Sequence, residues 1–171
     1  MFKAVLTGMF ILGAAASSGD VTVKFVESAP KDSFRIVNTG SCATGAIDIT
    51  IDLSGSQAGL IFDATSQGAG VEVYQPFEIV EGGDRVAKAD AVTDGDARTK
   101  LALHDLPSGG AVKFTVDVDD TLANSQNGQI RVSGSEIKGA RVILDQPSSE
   151  ATSATFDASG RATVKGPGCP A

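Results

Sequence analysis

Ile47-Asp48-Ile49-Thr50-Ile51-Asp52-Leu53-Ser54 alternates apolar and polar residues without a break. A period of two puts successive side chains on opposite faces of an extended chain, so the stretch predicts a strand whose Ile47, Ile49, Ile51 and Leu53 face a core. The pattern recurs on both sides of it. Val21, Val23 and Phe25 alternate with Thr22 and Lys24. Leu101 and Leu103 mark a short strand, Phe114, Val116 and Val118 alternate with Thr115, Asp117 and Asp119, and Ile130 and Val132 flank Arg131. Gly82-Gly83-Asp84, Asp94-Gly95-Asp96, Pro107-Ser108-Gly109-Gly110, Asn127-Gly128 and Ser159-Gly160 supply turn positions between the runs. Short strands with turns at this spacing predict an all-β fold, an antiparallel β-sandwich of about eight to ten strands. A closed barrel shows the same alternation. Phe156 to Arg161 reads as a last hairpin whose return strand leads to Cys169. Pro76, inside Tyr74-Gln75-Pro76-Phe77-Glu78, predicts an edge strand or bulge, with Phe77 packed in the core.

The N-terminus has a different character. Lys3 precedes the apolar run Ala4 to Gly13, and Ala14-Ala15-Ala16 offers small residues for cleavage, so residues 1–16 are expected to be a secretory signal peptide. The run is too short to span a bilayer, and no later stretch approaches the length a membrane helix needs. Residues 17–171 are then expected to form a single domain, secreted or periplasmic, with enough chain to enclose a core. Cys42 and Cys169 are the only cysteines. An even count in an exported chain predicts a disulfide between them, against the alternative of unbonded thiols.

The chain has 14 basic and 21 acidic residues, a formal charge of −7, and the signal peptide removes only Lys3 from either group. So acidic a chain repels nucleic acid and anionic membranes. Catalytic signals are sparse. There is no Gly-x-Ser-x-Gly elbow and no His-Glu-x-x-His, and the single histidine, His104, excludes a multi-histidine zinc site within one chain. His104 follows core-facing Leu103 and is expected to face solvent. A non-enzyme is therefore expected. A carbohydrate-binding or carbohydrate-processing extracellular domain is the alternative, although the absence of Trp and the single Tyr74 leave little for sugar stacking. A periplasmic assembly factor that binds other proteins is a third.

Asp94-Gly95-Asp96 and Asp117-Val118-Asp119-Asp120-Thr121 are the most suggestive polar segments, because calcium takes six to eight oxygens, several of them anionic. On a strand Asp117 and Asp119 point the same way, while Asp120 begins a turn. The loop residues Asp119 and Asp120 are the preferred ligands, with Asp94 and Asp96. Asp63 and Glu72 could complete a cage if their loops lie at the same end. An EF-hand is excluded, since a loop starting at Asp117 puts Leu122 where Gly is required and Gly128 where Glu belongs. The same aspartates also suit ordinary turn chemistry.

Val37-Asn38-Thr39-Gly40-Ser41-Cys42, Ile51 to Ser56, Gly59-Leu60-Ile61-Phe62-Asp63, Val71 to Phe77 and Phe114 to Thr121 resemble the bacterial aggregation factor core proteins. That family is similar in turn to the core ring domain of the sponge cell-aggregation factor. The resemblance runs from about Val21 to Ala162 and carries no catalytic motif. It implies an extracellular β domain associated with calcium-dependent adhesion, whose partner is a protein or glycan at the cell surface or a second copy of the chain. In a one-domain chain, multivalency would have to come from self-association.

Overall fold

The computed structural model describes residues 19–70, 73–122, 132–147, 149–166 and 168–169. The expected signal peptide, the Asn127-Gly128 turn and Ile130-Arg131 lie outside these residues. Eleven strands follow in order: β1 (Val21–Val26), β2 (Asp32–Asn38), β3 (Ile47–Asp52), β4 (Ile61–Asp63), β5 (Glu78–Glu81), β6 (Val86–Ala89), β7 (Arg98–Leu103), β8 (Ala111–Asp119), β9 (Arg141–Gln146), β10 (Ser149–Thr155) and β11 (Arg161–Val164). A 3-10 turn at Gly83–Arg85 links β5 to β6.

All pairings are antiparallel and form two sheets. One runs β11-β1-β2-β8, with β4 and β5 both on the far side of β8; the other runs β10-β9-β3-β7-β6. Neither sheet closes on itself, so the architecture is a β-sandwich and not a barrel. The count exceeds the expected eight to ten because β4 and β5, three and four residues long, sit end to end along one strand. Strands so short carry too few residues to display a period of two.

The alternation is realised as burial. Ile47, Ile49 and Ile51 of β3 meet Val21 and Val23 of β1 and Leu101 and Leu103 of β7 in one core. Phe34 lies at its centre, with its ring centroid 5.0 Å from Phe114, 5.1 Å from Phe25, 6.3 Å from Phe62 and 6.4 Å from Phe156. Such tilted, stacked and edge-on pairs each add to simple area burial. Phe77 packs against this cluster by stacking on Phe114. Pro76 lies in the loop just before β5 and not in a strand or at a bulge; the register slip of β5 against β8 falls further on, between Ile79 and Glu81.

The expected last hairpin is instead a crossing between sheets. β10 pairs with β9 and β11 pairs with β1, so residues 156–160 carry the chain from one sheet to the other. Asp157 makes this turn compact: its Oδ1 accepts from the N–H groups of Ser159 and Arg161 and from the Ser159 hydroxyl, and Gly160 adopts φ 72°. Sequence alternation does not distinguish this arch from a hairpin, since both join two strands through a Gly turn. Beyond β11 the chain returns to the β2–β3 loop, where Cys42 and Cys169 form a disulfide with Cα atoms 5.7 Å apart. No helix among the described residues is long and apolar enough to cross a membrane.

Candidate functional site

β8 is the strand on which the site is built. Its first half, from Ala111, lies between β2 and β5; its second half continues beyond β2 and pairs with β4. The register sets Asp63 opposite Asp117 and Ile61 opposite Asp119. Because Phe62 and Val118 face the core, Asp63, Asp117 and Asp119 share the other face. One carboxylate oxygen from each lies within 4.8 Å of the others. Asp63 and Asp119 are buried and Asp117 is half-buried.

After β4 the chain folds back over this cluster at Gly70. A Cβ on Gly70 would lie 2.6 Å from the Asp63 carboxyl carbon and 2.8 Å from Asp119 Oδ2, so the chain passes here only because this residue lacks a side chain. Gly70 also has φ +114°, a region L-residues avoid. Gly70→Ala is therefore expected to destabilise the fold by about 1 to 3 kcal/mol. Thermal unfolding in chelator checks this, and an unchanged midpoint would mean the loop does not rest on the carboxylates.

Gly70, Asp119 and Asp120 line a cavity of about 170 Å³ with Ile61 and Thr121. Asp120 is 3% exposed; its Oδ1 accepts from Leu122 N–H at 3.1 Å, and its Oδ2 is buried without a hydrogen-bond partner. A buried oxygen left in this state costs free energy unless a donor or cation meets it. Among the described residues, no lysine or arginine forms an ion pair with Asp117 or Asp120. Burial, then the nearby Asp63 charge, push the Asp117 carboxyl up to about 6.

Asp117 also borders a second cavity of about 240 Å³, together with Glu27, Asp32 and Gln75. Asp32 opens β2 and is 4% exposed. Its two oxygens accept from the N–H groups of Ser28 and Val118, each at 3.1 Å. Burial outweighs those bonds and, with the charges of Asp117 and Glu27, pushes its carboxyl up to about 8.

The structure brings Asp63 and Asp119 together, places Asp120 at the adjoining cavity and adds Asp117. It does not bring Asp94 or Asp96 into the cluster. Asp94 Oδ1 accepts from Ala64 and Thr65 N–H at 2.7 Å each, and its Oδ2 takes the Thr65 hydroxyl. Burial pushes this carboxyl upward, but the Thr65 hydroxyl and the two N–H groups hold it below the usual range. Asp96 Oδ2 accepts from the Thr93 N–H and hydroxyl, both at 2.8 Å. The Asp94-Gly95-Asp96 backbone pairs with Phe62 on the free side of β4. These two aspartates thus shape the loops that hold β4 and the start of the covering segment. Glu72 lies outside the described residues. Tyr74 is 69% exposed. His104 is exposed, above a shallow groove of about 410 Å³ shared with Asp48 and Asp145.

One carboxylate oxygen from each of Asp63, Asp117 and Asp119 comes within 4.8 Å of the others, a grouping of oxygen donors that could hold a metal ion. The fold and this cluster define a disulfide-closed β-sandwich with an acidic end. Comparison with family models, with curated proteins and with solved structures gave no match.

Proposed function

We propose that this chain is an exported, calcium-supported binding module of adhesion or aggregation, and not an enzyme. The observation that carries the reading is the convergence of Asp63, Asp117 and Asp119 from two paired strands beneath the Gly70 backbone. The signal-like N-terminus and the disulfide support export. The resemblance to aggregation factor core proteins supports adhesion, toward a protein or glycan at a cell surface or toward a second copy.

Calcium is the testable part. A ligand binding only the folded state at a hundred times its dissociation constant stabilises by about 2.7 kcal/mol. Each kcal/mol moves the midpoint of a domain this size by roughly 2 to 4 °C. Millimolar calcium is thus expected to raise the midpoint by roughly 5 to 11 °C, with chelator reversing the shift and magnesium producing less of it. Asp117→Asn with Asp119→Asn should remove most of the shift, and Asp94→Asn little of it. Identical melting curves in calcium and chelator, with no heat on titration, would remove the cation from the proposal.

One observation favours a carbohydrate-processing reading. Asp32 and Asp117 face one cavity with carboxyls pushed up to about 8 and about 6 respectively, and the exposed Tyr74 adjoins the lining residue Gln75. A hydrolysis screen run beside a glycan array separates the two. Turnover lost in Asp32→Asn would replace adhesion with catalysis.

A further inference from the structure

A sandwich of two open sheets has four free edges, and a free edge invites pairing with another chain unless something blunts it. Three of the four are blunted here. β11 is only four residues long and carries Arg161, with Lys165 just beyond its end. Along β8 the edge is divided between β4 and β5; β5 has a register slip, and its Glu78 and Glu81 are held by Lys31 at 2.5 Å and Arg35 at 3.0 Å. β6 is four residues long, carries Lys88 and slips in register between Val86 and Lys88.

β10 has fewer of these devices. Its seven residues read Ser-Glu-Ala-Thr-Ser-Ala-Thr, with one charge, no proline and no lysine, and all but one are exposed. The pairing with β9 is irregular between Ser149 and Thr152, but Thr152 to Thr155 run in regular register against Leu144 to Arg141. Among the described residues, no backbone group of 149–155 bonds to anything except β9. Ala154 packs toward the core, which puts Ser153 and Thr155 on the solvent face. Thr152 lies on the inner side, where its hydroxyl donates to the Lys165 carbonyl.

We infer that two copies of this chain join through β10, antiparallel about a two-fold axis, so that the two five-stranded sheets become one continuous sheet. The occupant is a second copy because an antiparallel strand edge is self-complementary: each strand offers the other the same row of donors and acceptors. The regular segment, Thr152 to Thr155, has no charged residue of its own to oppose its symmetry mate; Ser153 Oγ accepts from Arg141 Nη2 of β9 at 2.6 Å, and Thr155 is a β-branched residue suited to a cross-strand pair. This inference is independent of the cation, since β10 belongs to the sheet that does not contain Asp63, Asp117 or Asp119.

Sedimentation equilibrium of the mature chain in chelator, from micromolar to millimolar concentration, tests it. The apparent mass should double across that range, and amide exchange of residues 152–155 should slow on the same concentration scale. Ala151→Lys, at an exposed position, should leave the melting curve in place and keep the protein monomeric throughout; Thr155 is left unchanged because Arg141 lies directly opposite it on β9. A wild-type monomer at millimolar concentration, protection that rises on another strand, or a lysine variant that dimerises like the wild type would each overturn the inference. Should the lysine variant fold poorly, Ser153→Glu, which keeps an acceptor for Arg141 Nη2, is read in the same way.

Discussion

Reduction of the Cys42–Cys169 bond is expected to lower the stability of the fold by up to about 5 kcal/mol, because the bond closes a loop of 127 residues in the unfolded chain. For a domain of this length that corresponds to a fall in midpoint of roughly 10 to 20 °C. The bond also acts on the native side, where it holds the tail after β11 against the β2–β3 loop. The neighbouring contacts are modest: Gly166 N–H donates to Asp20 Oδ1 at 3.2 Å, and Asn38 Nδ2 donates to the Cys42 carbonyl at 2.8 Å. Cys42→Ser with Cys169→Ser should melt where the reduced wild type melts. Superimposable curves with and without reductant would show that the unfolded chain is already restrained in some other way.

Stability should also fall as pH rises from about 4 to about 8. Asp32 has a folded value of about 8 against 3.8 for an unperturbed carboxyl, so between the two the folded chain holds a proton that the unfolded chain has lost. Its contribution is fully present below 3.8, is lost as pH climbs through the folded value, and is level above it. Asp117, at about 6, acts in the same direction over the lower part of the window. Between pH 6 and pH 8 Asp32 alone gives a slope of up to about 1.4 kcal/mol per pH unit. That is roughly 3 to 5 °C per pH unit in the midpoint. Chelator must be present, since a bound cation would favour the ionised carboxylates. Asp32→Asn should flatten this slope and start from a lower baseline, because an amide has one oxygen to accept what two now take. A wild-type midpoint constant from pH 6 to pH 8 would contradict the assignment to Asp32.

The core was legible because each of its long strands carries its own period of two: Val21 to Phe25, Ile47 to Leu53 and Phe114 to Val118 are buried on the predicted faces. Asp52 shows where alternation stops informing. Its place beside Asp48 and Thr50 suggests solvent, yet it is buried, because Arg98 lies directly across on β7 and covers it with a 2.8 Å ion pair. The candidate site was legible by composition and not by assembly. Asp63, Asp119 and Asp120 stood out as acidic residues at strand ends. The closeness of Asp63 to Asp117 depends on the β4–β8 register, which no local pattern encodes. Asp94 and Asp96 looked like ligands for the reason that makes Asp common in turns: a short carboxylate reaches nearby backbone N–H groups as readily as it reaches a cation.

The disulfide has a consequence for a molecule under tension. β1 and β11 lie side by side with Val21 opposite Val164, so both strands begin or end at the same rim of the sandwich. A pull applied between Gly19 and Cys169 would peel such neighbours apart one hydrogen bond at a time, the weakest geometry for resisting force. With Cys42 bonded to Cys169 the load leaves the backbone at Cys42 and crosses through sulfur, so nothing between them can be drawn out. Only the segment from Gly19 to Cys42 remains extensible, about 80 Å of chain, where the reduced protein would release about 500 Å. Force spectroscopy would read this as a short tether that yields in β1 and β2 and then holds.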